Sequence, residues 1–183
     1  MKKYLFILIL TISAIAGCSK QSGNGSNLWL GDECQSINAK VVIDESLELD
    51  NEGFIIKGGP EERTILAKTD IGAMYGRFAL QRMERTGKAD GVLDIREEPA
   101  FERRILNHWD NLDNTVERGY AGWSIWHWGE PVPVELIKEY SRLNASIGIN
   151  GSVLNNVNAT PEMLSREKLE RVAEIADIMR PYG

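Results

Sequence analysis

The sequence predicts an α/β chain: a small N-terminal α+β domain followed by the first two βα units of a truncated (β/α)8 TIM barrel. Three observations carry that prediction. Short β-branched runs and one amphipathic helix alternate irregularly between Leu28 and Pro99. From Arg103 the rhythm changes to strand, loop, helix, and repeats once, which implies parallel strands. The chain then stops at Arg180-Pro181-Tyr182-Gly183, where Pro and Gly after a helix normally introduce another element. Two parallel strands cannot close a barrel, so the expectation is an architecture cut short.

The first element is a targeting segment. Met1-Lys2-Lys3 is basic, Tyr4 to Ile15 is apolar and uncharged, and the run ends at Ile15-Ala16-Gly17-Cys18. The apolar stretch falls short of the roughly 20 residues of a membrane span, and its layout is that of a secretory signal. The small residues before Cys18 look like a lipobox. Residues 1–17 are therefore expected to be a lipoprotein signal peptide, with Cys18 as the lipidation site. The protein would be an exported bacterial lipoprotein, held to a membrane by its lipid anchor. An ordinary signal peptide, leaving Cys18 free, is the other reading. Residues 18–27, rich in Gly, Ser and Asn, form a flexible tether.

Once Cys18 carries lipid, Cys34 has no partner, which excludes a disulfide framework within the monomer. Only His108 and His127 are present and no zinc spacing occurs, so neither a metal nor a cofactor is expected. A net charge of −6 argues against nucleic acid as a partner. About 155 residues remain, enough for one ordinary domain, yet they divide in two.

In the first part, residues 28–99, three runs read as strands. They are Lys40-Val41-Val42-Ile43-Asp44, Gly53-Phe54-Ile55-Ile56-Lys57 and Thr64-Ile65-Leu66-Ala67. Asp70 is placed to cap a helix from Ile71 to about Arg85, with Ile71, Met74, Tyr75, Phe78, Ala79 and Met83 on one face and Gly87 as its stop. Its carboxylates read as a solvated face, and nothing in this part looks catalytic.

In the second part, residues 100–183, Arg104-Ile105-Leu106-Asn107-His108-Trp109 reads as a strand. Val134 to about Leu143 reads as a helix with Leu136, Ile137, Tyr140 and Leu143 on one face. Gly151-Ser152-Val153-Leu154-Asn155-Asn156 is the second strand. Ser165 caps a final helix whose stripe is Leu169, Val172, Ala173, Ala176 and Met179.

Both strands end in polar clusters, Asn107-His108-Trp109-Asp110-Asn111 and Asn155-Asn156-Val157-Asn158. Amides offer donor and acceptor together, which suits sugar hydroxyls; tying down βα turns is the other use. Trp109, Trp123, Trp126 and Trp128 are four of the five tryptophans; the last three crowd the loop between the first strand and its helix with Tyr120, and Trp109 lies just before it. Aromatic faces stack on pyranose rings, and they also pack loops; both uses are expected here, with one or two rings facing ligand. Arg118 beside Glu117 can recognise a carboxylate by a two-pronged hydrogen bond, or form an ion pair within the loop. His108 reads as a hydrogen-bonded structural histidine rather than a general base.

These residues carry a resemblance. Asn107-His108-Trp109-Asp110-Asn111-Leu112-Asp113, Glu117-Arg118-Gly119-Tyr120-Ala121-Gly122 and Ser124-Ile125-Trp126 look like the opening of the catalytic barrel of family 67 α-glucuronidases. The similarity continues through Asn144-Ala145-Ser146-Ile147-Gly148-Ile149-Asn150-Gly151, Val153-Leu154-Asn155-Asn156-Val157-Asn158-Ala159, Ile175-Ala176-Asp177 and Arg180-Pro181-Tyr182-Gly183. The Gly53 to Arg85 region resembles the end of the family's N-terminal α+β domain, which looks shortened here. The resemblance implies a glycosidase that removes α-1,2-linked 4-O-methylglucuronic acid from xylo-oligosaccharides by inversion, without a metal. Its partners would be glucuronoxylan-derived oligosaccharides. It places part of the glucuronate pocket at Trp109, Asp110, Asn111, Glu117, Arg118, Asn155 and Asn156. The catalytic carboxylates of the family lie on later strands, so no catalytic residue is assigned and the chain alone is expected to be inactive. A non-catalytic, sugar-binding surface lipoprotein is the alternative.

Overall fold

The computed structural model describes residues 37–117, 122–155 and 160–183. Cys18, Cys34, Arg118 and Asn156 lie outside them.

The three β-branched runs are strands, as expected, and a fourth strand joins them. β1 (Ala39–Ile43), β2 (Phe54–Gly58), β3 (Arg63–Ala67) and β4 (Leu93–Glu97) form a sheet in the order β1-β3-β2-β4. β1 runs parallel to β3, and β2 is antiparallel to both β3 and β4. β4 escapes the sequence pattern because Leu93-Asp94-Ile95-Arg96-Glu97 presents two apolar side chains among three charges. As an edge strand it needs only one covered face.

Alternation puts Phe54 and Ile56 of β2, and Ile65 and Ala67 of β3, on the buried side. α1 (Asp70–Arg85) covers that side with Met74, Tyr75, Phe78, Ala79 and Leu80. Each fully buried side chain of the Ile or Phe kind contributes about 1.5–3 kcal/mol. The helix comes close because two of its residues lack a side chain. A Cβ on Gly72 would lie 2.4 Å from the Gly53 carbonyl oxygen, and one on Gly76 2.6 Å from Ile65 Cγ2.

The helix cap is Thr69 rather than Asp70. The Thr69 hydroxyl accepts from the Gly72 N–H at 3.1 Å, and Asp70 occupies the first turn, where a carboxylate favours the helix dipole. Gly87 ends the helix as expected, with φ +65°. Its N–H bonds the Glu84 carbonyl and the Lys88 N–H bonds the Met83 carbonyl at 2.8 Å, the paired closure that a left-handed residue permits.

The second part holds β5 (Ile105–Asn107) and β6 (Gly151–Val153), paired in parallel, with α2 (Val134–Ser146) between them in sequence. A 3-10 turn at Pro161–Leu164 leads into α3 (Arg166–Met179), which Ser165 caps through the Lys168 N–H. Both strands are shorter than their apolar patterns. Beyond Asn107 and Val153 one ladder bond remains, His108 N–H to the Val153 carbonyl at 3.0 Å. The chain then turns away through an isolated Asp110–Val116 bridge.

The two helix faces also differ from their apolar periodicity. α2 buries Ile137, Ser141 and Ala145, whereas Leu136 and Leu143 are 43% and 51% exposed. α2 contacts both α1 and α3, and the small Ser141 and Ala145, four residues apart, let it approach. Ser141 satisfies its hydroxyl on the Ile137 carbonyl at 2.7 Å. α3 fully buries Ile175, with Val172 and Met179 packed beside it, and leaves Leu169 and Ala173 exposed.

Ala145 and Tyr182 pack into the core of the first part, so the two parts share apolar contact. A polar clamp reinforces it. Glu52, ahead of β2, receives Arg104 Nη2 at 2.5 Å and Asn150 Nδ2 at 3.0 Å. The Arg104 guanidinium also lies 5.7 Å from the Tyr75 ring centroid. Arg104 and Asn150 stand just before β5 and β6, so one carboxylate holds the entry to both strands. No described helix is long and apolar enough to cross a membrane.

Candidate functional site

The parallel register fixes what the two strand ends share. Asn107 pairs with Val153, so Trp109 and Asn155 each lie two residues beyond the last pair, on the same edge of the sheet. Trp109 and Asn155, with the described residues beside them, therefore share one rim. Asp110, Asn111 and Glu117 join it through the loop that follows β5. Asn111 N–H bonds the Thr115 carbonyl and Glu117 N–H bonds the Trp109 carbonyl, both at 2.8 Å.

The rim residues differ in what they present. Trp109 is 36% exposed and Asp110 only 5%. Asn111, Glu117 and Asn155 are half-buried. The Asn111 amide donates to Thr115 Oγ1 at 2.9 Å, which is turn-fixing work. Asp113 accepts from the Thr115 hydroxyl at 2.6 Å and from its N–H at 3.0 Å. Those two bonds hold its carboxyl below the usual carboxylate range. Asn114, in the left-handed region at φ 68°, takes the Ser124 N–H on its carbonyl and the Trp128 N–H on its side chain, each at 2.8 Å. One residue thus ties the start of the aromatic loop to its end.

The tryptophans divide as the two uses of aromatics require. Trp126 and Trp128 are 0% and 2% exposed and, with Val132, Ile137, Met163 and Ile175, make the second core. Trp123 is 75% exposed. Among the described tryptophans, Trp109 and Trp123 are the exposed ones. α3 grips the backbone between the buried pair: Arg171 Nη2 donates to the Trp126 carbonyl at 2.8 Å and to that of His127 at 2.5 Å. Lys168 Nζ reaches the Trp128 carbonyl at 3.2 Å.

His108 lies beneath the rim with its Nε2 2.7 Å from the Tyr140 hydroxyl. Its Nδ1 is 3.7 Å from Asp110 Oδ1, a charge contact rather than a hydrogen bond. Burial pushes the imidazole pKa down and the Asp110 charge opposes that shift. This is a structural histidine, as its setting in the sequence suggested. The sequence reading missed Tyr140, which it placed on an apolar face, and Asn114. The Asp113-Asn114-Thr115 run, typical of a tight turn, was the available signal for Asn114. Among the described residues no group of three His, Cys, Asp or Glu side chains could hold a metal ion.

Residues 83–183 match the family model described as the glycosyl hydrolase family 67 middle domain. The chain is 40% identical over 138 residues to a probable alpha-glucuronidase A of Aspergillus terreus, covering 74% of this chain and 16% of that protein. It is 38% identical over 169 residues to a probable alpha-glucuronidase A of Aspergillus clavatus, covering 91% of this chain and 20% of that protein. Among solved structures, a family 138 enzyme targeting pectin rhamnogalacturonan II aligns with TM-score 0.48 and 12% identity, over 78% of this chain and 22% of that one. The chain thus spans between 16% and 20% of the length of these two curated relatives.

Proposed function

The chain belongs to glycosyl hydrolase family 67, and from that premise we propose that it forms part of the glucuronate pocket of an α-glucuronidase. The substrate class is xylo-oligosaccharide bearing α-1,2-linked glucuronic acid or its 4-O-methyl ether. β5 and β6 are then the first two strands of a (β/α)8 barrel, whose ligands bind at the C-terminal ends of the strands. The observation that carries this reading is the shared rim: Trp109, Asp110, Asn111, Glu117 and Asn155 reach one sheet edge through the β5–β6 register. Arg118 and Asn156, the neighbours of Glu117 and Asn155, belong to the same proposal.

Hydrolysis by inversion needs one protonated carboxyl to protonate the leaving oxygen. A second carboxylate deprotonates a water that attacks the anomeric carbon from the opposite face, the two groups standing roughly 6.5–9.5 Å apart. In this proposal these 183 residues orient the uronic acid and supply neither group. The exposed rings of Trp109 and Trp123 stack on sugar faces, while the amides and Arg118 take the hydroxyls and carboxylate. Export follows from the lipobox, with diacylglycerol on Cys18 anchoring the protein at a membrane surface.

Calorimetry with an aldotriouronic acid and with neutral xylotriose tests the pocket. Saturable binding of the acidic sugar with weaker binding of the neutral one is expected; equal binding of both, or none by a folded chain, sinks the reading. The same incubation should release no glucuronic acid, and authentic turnover would reassign the chemistry to these residues. Metabolic labelling with a radioactive fatty acid should mark the wild type and not Cys18→Ala.

A further inference from the structure

We infer that His108 is a positioning residue whose ring, hydrogen-bonded to the Tyr140 hydroxyl and facing the Asp110 carboxylate, sets the orientation of the Trp109–Asp110 segment that follows β5. The inference rests on the rim being the ligand site.

Four residues from three elements make the device. Ser152, paired with Leu106 in the middle of β6, has its Oγ 2.6 Å from the Tyr140 hydroxyl. Tyr140 extends from α2 to His108 Nε2 at 2.7 Å, and His108 Nδ1 faces Asp110 Oδ1 at 3.7 Å. Two rings, Trp126 and Tyr140, pack edge to face on the imidazole and on each other. Centroid separations are 5.0 Å for His108–Trp126, 5.5 Å for His108–Tyr140 and 5.4 Å for Trp126–Tyr140, with interplanar angles of 64° to 82°. Such edge-on packing is favourable in itself and leaves the imidazole little freedom to turn.

The direction of the chain follows from its acidic end. Asp110 Oδ1 stands 3.7 Å from Nδ1, too far for a direct hydrogen bond. A carboxyl oxygen facing a ring nitrogen nevertheless repels a lone pair there, which favours the proton on Nδ1. Nε2 then presents its lone pair, Tyr140 donates to it, and Ser152 donates to the Tyr140 oxygen. This assigns one tautomer through the partners of the two nitrogens. Burial disfavours the imidazolium form, in which both nitrogens would carry protons. Trp109 is flanked by two pinned residues: His108, held as described, and Asp110, held by its bridge to Val116. The first unit's own helix, through Tyr140, and the second strand, through Ser152, thereby fix the segment that follows β5, and with it the ring of Trp109.

The test is a long-range proton–nitrogen correlation on the full chain labelled at histidine, with His127→Asn assigning the only other histidine. At neutral pH the His108 signal should show one tautomer, protonated on Nδ1. Tyr140→Phe keeps the ring and removes the hydroxyl; the tautomer ratio should shift by roughly fivefold, the worth of one ordinary hydrogen bond. The Trp109 indole resonance, assigned with Trp109→Phe, should move or split. Ser152→Ala should shift both signals the same way but less, and serves if Tyr140→Phe folds poorly. A wild type protonated on Nε2, or variants that leave both signals unmoved, overturns the inference. None of these readouts needs a sugar, so a failure of uronate binding is registered separately.

Discussion

Removing the Glu52 carboxylate should loosen the joint between the two parts of the molecule by about 2–3 kcal/mol. Glu52 Oε2 meets Arg104 Nη2 at 2.5 Å, and the two side chains are only 21% and 18% exposed. A hydrogen bond to a charged group contributes about 1.5–3 kcal/mol. The remaining solvent access places this pair toward the lower end, above the roughly 0.2–1 kcal/mol of an exposed pair. The Asn150 amide bond to Oε1 adds about 1 kcal/mol. At about 2–4 °C per kcal/mol for a domain of 150 residues or more, Glu52→Ala should lower Tm by roughly 4–12 °C. Arg104→Ala should cost more, because that guanidinium also donates to the Phe101 and Gly148 carbonyls. Urea unfolding of both single variants and the double variant, followed by tryptophan fluorescence, gives the coupling directly. A coupling of about 1–2 kcal/mol, little changed by added salt, is expected. Additivity within about 0.5 kcal/mol, the range of independent sites, would refute the clamp.

Gly72→Ala should destabilise by about 1–3 kcal/mol through overpacking, because its Cβ meets the Gly53 carbonyl, a backbone atom that cannot swing away; thermal melts read this. His108 makes stability depend on pH. Its folded pKa lies below the unfolded value of about 6.5, so its contribution is fully present above that value and is lost as pH falls through the folded pKa. Urea midpoints across that window should fall in the wild type more steeply than in His108→Gln; parallel curves would contradict the burial argument. Trp123→Ala should leave stability within about 0.5 kcal/mol and weaken aldotriouronic acid binding several-fold by calorimetry. Trp126→Ala, which empties the second core, should cost about 3–5 kcal/mol.

The elements that alternate cleanly were legible in the sequence. Phe54-Ile55-Ile56 and Thr64-Ile65-Leu66-Ala67 became β2 and β3 because one face is buried and the other is not. β4 was illegible because its charged side chains need no partner at an edge. The helix boundaries were readable from Gly87 and Ser165, but the inward faces of α2 and α3 were not. Hydrophobicity ranks Leu136 and Leu143 above Ser141 and Ala145, whereas close helix packing selects by size. The rim followed from two polar runs at equivalent strand ends. Tyr140 and Ser152 did not, because hydrogen bonds between residues on different elements depend on a register that one sequence does not display. The split between the buried Trp126 and Trp128 and the exposed Trp123 likewise depends on what α3 covers.

The grip of α3 on the aromatic loop has an evolutionary reading. Arg171 and Lys168 bind carbonyl oxygens of residues 126 to 128, and carbonyls are present whatever side chains those residues carry. The seat of the loop is therefore written partly in the helix, beside what Asn114 and the buried Trp126 and Trp128 of the loop itself supply. Around the buried Trp126 and Trp128, the outward side chains of the loop can drift and acquire new arrangements, while the mould that shapes its backbone stays unchanged. Conversely, a loop moved to another scaffold without its helix would leave behind part of the instructions for its own placement.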